Sequence, residues 1–139
     1  MKYTAVLCAC AIGGLLGFGA VDKLMHWPLF VFTLEHNPLL PASLAGAVGG
    51  AVVAVECLVA GALLVPHTRR RGFFAAACLF AVFTAVIGAL LLAAPGVRCG
   101  CTFLFGYDRA EPRHLLMNVL LTALSGFVWH AESSVPSPS

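Results

Sequence analysis

The sequence predicts an all-α membrane protein, a bundle of four transmembrane helices, and two observations support this fold class. Hydrophobic residues make up 60% of the 139 residues and charged residues only 10%, with a mean hydropathy of +0.96. A water-soluble domain carries about 25% charged residues, so lipid must cover most of this surface. The apolar residues also fall into four runs, which are about as long as a helix needs to cross a ~30 Å hydrocarbon layer.

Charged residues, prolines and glycines mark where the four runs begin and end. The predicted spans are residues 3–21, 41–65, 73–94 and 114–130. Asp22-Lys23 ends the first span, Pro41 and Pro66 flank the second, and Pro95-Gly96 ends the third. A helix satisfies its own backbone hydrogen bonds in lipid, so residues 1–132 are predicted to form one four-helix domain. The Ser/Pro-rich residues 133–139 are predicted to be a disordered tail.

A cleaved signal peptide is the alternative for the first run, because a lysine precedes its apolar stretch. The run is longer than a signal core of about 7–15 residues. Phe18-Gly19-Ala20 is also a poor cleavage site. We therefore expect the first run to be a membrane span.

The positions of the basic residues predict the orientation. Arg69, Arg70 and Arg71 lie in a short linker without acidic residues, and Lys2 falls on the same side of the membrane. By the positive-inside rule this side is cytoplasmic, together with both termini. The other side would also hold four basic residues, namely Lys23, Arg98, Arg109 and Arg113. Because the two counts are equal, the clustering of the three arginines decides the predicted orientation. The loop around Cys99 is then predicted to lie on the outer, oxidising face.

Charge and cysteine content exclude some functions and leave others open. The formal net charge of +2 is spread between apolar runs, so the chain offers no basic face for nucleic acid. Four of the six cysteines lie within apolar runs, where packing as small hydrophobic residues is the simplest interpretation. They are Cys8, Cys10, Cys57 and Cys78. Cys99 and Cys101 alone lie in a polar loop.

The motif Cys99-Gly100-Cys101 is the strongest candidate site. Two thiols separated by a glycine can close a small, strained ring, and strain makes a disulfide more readily exchanged. Arg98 is expected to favour the thiolate, which is the form that attacks a disulfide. Redox activity, a structural disulfide and metal ligation all remain open from these residues, and we favour them in that order.

Glu56 is a further candidate, because an ionisable group within a span normally faces the bundle interior and is paired or protonated. Lys23 could form a charge pair with it, or Glu56 could handle protons. Asn118, Thr122 and Ser125 form a polar stripe on the fourth span that could meet Glu56. We favour interhelical hydrogen bonding as the role of this stripe.

The remaining thiols and histidines give weaker signals. Cys8 and Cys10 would lie on nearly opposite faces of a helix, so they cannot readily bind one metal ion, and packing is the favoured interpretation. His26 and His36 are expected to be functional only if the fold brings them to the Cys99 loop. No metal site and no cofactor are predicted.

The order of these features resembles the methylamine utilisation protein MauE family, within the DoxX-like group of four-span membrane proteins. The matching features are Gly19-x-x-x-Lys23 followed by Pro28, then Glu56, Cys99-Gly100-Cys101 and Asn118. The resemblance covers Gly19 to Trp129. The chain departs from the family pattern in having Thr102-Phe103 after the cysteine motif, a displaced Phe105-Gly106, and Met117 where the family has an arginine.

The resemblance implies a protein of the bacterial cytoplasmic membrane that helps to form or rearrange disulfides in exported proteins beside a thioredoxin-like partner. We therefore predict an integral membrane thiol–disulfide oxidoreductase that uses Cys99 and Cys101, supported by Arg98 and Gly100. Its partners would be that thioredoxin-like protein, the exported substrate and the lipid bilayer. One alternative is a soft-metal transporter or metallochaperone in which Cys8 and Cys10 join the motif as ligands. The other is a non-catalytic membrane assembly factor with a static disulfide.

Overall fold

The structure of the chain is a computed structural model that describes residues 2–94, 98–102, 107–109 and 111–133. Within these residues, four helices are long and apolar enough to cross a membrane, which confirms the predicted fold class. The helices are α1 (Lys2–Met25), α2 (Trp27–Glu35), α3 (Ala45–Leu64), α4 (Arg69–Ala93) and α5 (Pro112–Ser133), with a 3-10 turn at Ala42–Leu44. Two short strands, β1 (Arg98–Thr102) and β2 (Tyr107–Arg109), precede α5.

Two features of the architecture differ from the predicted elements. Helix α1 continues past Asp22 and Lys23 to Met25, since both charged side chains are buried within the protein instead of ending the span at its surface. Helix α2 lies in the segment predicted to be a connection, and its Pro28 is tolerated because it falls in the first turn. Of the predicted disordered tail, only Ser133 lies within the described residues, at the end of α5.

The four long helices share one apolar core. Helix α1 runs antiparallel to α3: Gly13 lies against Ala60 and Leu64, whereas Lys23, ten residues later, reaches Glu56. Helix α4 packs against both α3 and α5. The core residues on the four helices include Ile12, Leu16, Leu63, Phe73, Phe80 and Val128. Most other large apolar side chains lie on the outer surface, as expected where lipid is the solvent.

Helix α2 packs beside the first half of α3 through a second apolar cluster that includes Phe30 and Val53. Gly49 makes this close approach possible. A β-carbon there would lie 3.2 Å from Leu34 Cδ1 and 3.3 Å from the Phe30 ring. A small residue at the contact lets two helix backbones approach each other, which is how helices commonly associate in membranes.

The cysteine motif lies on a β-hairpin. Strand β1 pairs with β2 in an antiparallel arrangement, with Arg98 opposite Arg109 and Thr102 opposite Tyr107, and the register shifts between these two pairs. The backbone of β1 lies against both α1 and α2. The short helix α2 therefore contacts both the hairpin and α3.

Candidate functional site

Lys23 and Glu56 form a buried salt bridge between α1 and α3. The Lys23 ammonium donates hydrogen bonds to both carboxylate oxygens of Glu56, at 2.9 Å to Oε1 and 3.1 Å to Oε2. The two side chains are only 5% and 3% exposed. The charge pair considered from the sequence is therefore present, and it joins the end of the first span to the interior of the second.

The depth of this pair is unusual for charged groups. Glu56 lies eight residues before the end of α3 at Leu64, about 12 Å along the helix at 1.5 Å per residue. It is therefore near the middle of a hydrocarbon layer about 30 Å thick. A lone charge there costs about 2.5–3.5 kcal/mol on insertion scales, so each partner needs the other.

Three helices enclose the Lys23 ammonium. Besides Glu56 on α3, it donates a hydrogen bond to the Gly19 carbonyl oxygen on its own helix, at 3.3 Å. On the α2 side, it lies 5.9 Å from the centre of the buried Phe30 ring. A cation at this distance from an aromatic face is attracted by the ring quadrupole. The lysine thus ties α1, α2 and α3 together at one point.

Asp22 and His26 form a second polar contact at the end of α1, next to Lys23. The Asp22 side chain is 1% exposed, and its Oδ1 lies 3.1 Å from Nδ1 of His26 one helical turn later. The same ring nitrogen lies 3.0 Å from the Asp22 carbonyl oxygen. His26 lies between α1 and α2, the two helices that β1 contacts. His36 lies at the far end of α2, where its Nδ1 is 2.9 Å from the Phe32 carbonyl oxygen.

Asn118 and Thr122, two residues of the polar stripe of α5, bond to their own helix. Asn118 Nδ2 donates to the His114 carbonyl oxygen at 2.9 Å, and Thr122 Oγ1 donates to the Asn118 carbonyl oxygen at 2.7 Å. Both hydrogen bonds stay within the helix, so they are not the interhelical bonds that we favoured. Polar side chains in helices often bond to the carbonyl one turn back. Helix α5 also packs chiefly on α4, and not on the helix that bears Glu56.

The four cysteines of the apolar runs are free thiols. Cys8 is half-buried against the core, as predicted for packing. Cys10, Cys57 and Cys78 are exposed on the outer surface of the bundle, so packing inside the protein does not explain them. Cys8 and Cys10 thus face different surroundings, as their spacing predicts. Among the described residues, no group of three or more His, Cys, Asp or Glu side chains could hold a metal ion.

Cys99 and Cys101 occupy alternate positions of β1, on either side of Gly100 and after Arg98. The sequence predicted that they lie in an outer loop, on the same face as the connection between the first two spans. The structure places strand β1 against α1, which carries Asp22 and Lys23, and against α2. Asp22 was missed as a site residue, although its spacing of four residues from His26 is a recognisable helical pairing signal.

A bundle of four apolar helices with an ion pair inside it defines an integral, multi-pass membrane protein. The chain belongs to the methylamine utilisation protein MauE family, since the family model of that description matches residues 1–131. This confirms the resemblance seen in the sequence motifs. No curated protein and no solved structure matches the chain.

Proposed function

We propose that this membrane protein exchanges disulfides with partner proteins through Cys99 and Cys101. The observation that carries the proposal is the position of β1, which lies against α1 and α2 at the helices that hold the buried charges. An ionisable group kept inside a membrane is costly, and such groups usually serve function. Strand β1 carries both motif cysteines, so the proposal places the exchange chemistry beside these two helices.

The charged residues offer a way to handle the protons of the two thiols. Disulfide exchange requires a thiolate, so a thiol must first lose its proton. Asp22 and His26 form a carboxylate–imidazole contact at the junction between α1 and α2. We assign them as the proton acceptors for the thiols, while Lys23 and Glu56 position α1 against α3.

The exchange balances as a two-electron reaction. The thiolate of one motif cysteine attacks a disulfide of the partner, a mixed disulfide forms, and one partner sulfur leaves as a thiolate. The second motif cysteine then attacks the mixed disulfide and closes the Cys99–Cys101 bond. The motif has lost two electrons and two protons, and the partner has gained them as two thiols. The reverse sequence oxidises the partner instead.

The proposed setting is the bacterial cytoplasmic membrane, with both termini in the cytoplasm and the hairpin outside. The salt bridge strengthens the charge argument for this orientation. Lys23 is buried within the bundle, where it binds Glu56, so it does not belong to the outer loops in which the rule counts basic residues. The cytoplasmic side then holds four basic residues and the outer side three, which favours the positive-inside orientation. The proposed partners are a thioredoxin-like protein and its exported substrates.

Trapping of the mixed disulfide tests the exchange. In a background in which Cys8, Cys10, Cys57 and Cys78 are alanine, the variants Cys99→Ser and Cys101→Ser each retain one motif thiol. We expect one of them to accumulate a covalent complex with an exported or thioredoxin-like protein on non-reducing gels. The Cys99→Ser/Cys101→Ser double variant is the matched control and should form none.

Two outcomes would contradict the proposal. If neither single variant traps a partner, the exchange role is wrong. The second is a Cys99–Cys101 disulfide that forms in the background protein but is not reduced at any potential set by glutathione buffers. The disulfide would then be structural, and the assembly-factor alternative would be favoured.

A further inference from the structure

A cavity lies at the opposite end of the bundle from the hairpin, at the turn between α3 and α4. It is lined by His67, Thr68, Arg70, Arg71, Phe74 and Trp129. We propose that this cavity binds the phosphate headgroup of an anionic phospholipid. The proposal does not depend on the cysteine motif, which lies on the other side of the membrane span.

The turn that forms the cavity is held in a fixed shape. Thr68 Oγ1 donates a hydrogen bond to the Ala62 carbonyl oxygen at 2.9 Å. Gly72 lies so close to α3 that a β-carbon would come within 2.8 Å of the Leu63 nitrogen. Helices α3 and α4 therefore meet tightly at this turn, and the residues between them have a defined position relative to the bundle.

The three consecutive arginines have different roles at this turn. Arg69 is half-buried, and its Nε donates to the Leu63 carbonyl oxygen at 3.3 Å, so it satisfies the end of α3. Arg70 and Arg71 are exposed and line the cavity. The described residues that line the cavity include these two arginines and no acidic residue, so this part of the lining is positively charged. Guanidinium groups bind phosphate oxygens with paired hydrogen bonds, which makes arginine suited to this ligand.

Aromatic rings form the apolar wall of the same cavity. The Phe74 and Trp129 rings pack together with centroids 5.3 Å apart. Phe74 follows Arg70 by four residues and Arg71 by three, so the ring and the two cations share one face of α4. Tryptophan prefers the headgroup level of a bilayer, where one side of the ring is apolar and the other wet.

This combination favours a lipid over a soluble phosphate compound. Helix α3 ends at Leu64 and α4 begins at Arg69, so the turn lies where two membrane spans leave the hydrocarbon layer. Anionic headgroups are concentrated at that level, and basic pockets between transmembrane helices are known to bind them. The cationic side can hold the phosphate while the rings contact the glycerol and acyl chains.

Trp129 provides a local readout for the test. The chain has two tryptophans, so the Trp27→Phe variant leaves Trp129 as the only one. This variant is reconstituted into phosphatidylcholine vesicles that contain increasing fractions of phosphatidylglycerol with brominated acyl chains, which quench nearby tryptophan. Brominated phosphatidylcholine gives the reference. We expect anionic lipid to be preferred at Trp129 by about fivefold for each arginine that engages the phosphate.

Variants of the two arginines are compared with a charge-matched control. Arg70→Gln and Arg71→Gln should each reduce the preference about fivefold or less, and the double variant should abolish it. Arg113→Gln, which removes one positive charge at the other end of the bundle, should leave the preference unchanged.

Three results would overturn the proposal. The first is equal quenching by the two brominated lipids in the Trp27→Phe protein. The second is a preference that survives in the Arg70→Gln/Arg71→Gln variant. The third is displacement of the brominated anionic lipid by millimolar inorganic phosphate, which would assign the cavity to a soluble phosphate compound instead of a lipid.

Discussion

At the scale of single residues, Lys23 and Glu56 each need the other to neutralise a charge buried inside the bundle. Their side chains are almost fully buried and joined by two hydrogen bonds. Pairing offsets the desolvation of the two charges, but a buried ion pair often gives little net stability compared with well-packed apolar residues. The loss of only one partner is different, because it leaves an uncompensated charge near the middle of the membrane.

Removal of one partner of this pair should therefore be worse than removal of both. We expect Lys23→Met to lower the free energy of unfolding in detergent by about 3–5 kcal/mol, because Glu56 is left buried and alone. The Lys23→Met/Glu56→Leu double variant should recover most of this loss, as measured by denaturant titration followed by circular dichroism. A double variant as unstable as the single one would contradict the account. A recovered double variant that no longer exchanges disulfides would show that the charges serve the reaction.

At the scale of elements, α2 connects the packing of α3 to the position of the hairpin. It packs on Gly49 through Phe30 and Leu34 on one side, and β1 lies against it. At Gly49, Phe30 and Leu34 approach α3 so closely that a β-carbon would lie 3.2–3.3 Å from them. A displacement of α2 should therefore also displace the surface against which β1 and its cysteine motif lie.

Enlargement of Gly49 tests this link. In Gly49→Leu the new side chain would collide with Leu34 and Phe30, so α2 must move away from α3. We expect faster amide hydrogen exchange in peptides that cover β1, because the strand loses part of its supporting surface. Gly46→Leu is the matched control on the same helix, since nothing lies within 4 Å of a β-carbon there. Equal exchange in the two variants would show that α2 does not support the hairpin.

At the scale of the whole molecule, the two ends of the bundle differ in chemistry. One end carries the hairpin with the cysteine motif, and the other carries the arginine turn at Arg69–Arg71. Disulfide exchange with exported proteins needs the first end outside the cell, and the positive-inside rule favours the second end in the cytoplasm. The two requirements agree on one orientation.

Thiol labelling measures this orientation. In the background without Cys8, Cys10, Cys57 and Cys78, we expect a membrane-impermeant maleimide to label the reduced motif in intact cells. For comparison, His67→Cys in the same background, with both motif cysteines changed to serine, should be labelled only after the cells are permeabilised. Labelling of His67→Cys in intact cells would show the opposite orientation, in which the motif lies on the cytoplasmic side.

The sequence by itself determined the class of the protein and its four membrane helices. Composition and the lengths of the apolar runs reflect the solvent around a chain, and this information is local. It also identified Glu56 and Lys23 as candidates, because a charge in or at the edge of an apolar run is visible without a structure. The motifs that led to the MauE family are local in the same sense.

Only the tertiary structure decided which of these residues meet. Hydropathy placed the end of the first span at Val21, whereas α1 continues to Met25 because Glu56, thirty-three residues after Lys23, neutralises the lysine inside the bundle. The tertiary structure likewise decided that α2 packs on α3 and that β1 lies beside α1 and α2. Each of these depends on contacts between residues far apart in the chain, and the free energy of such contacts leaves no periodic signal in the sequence.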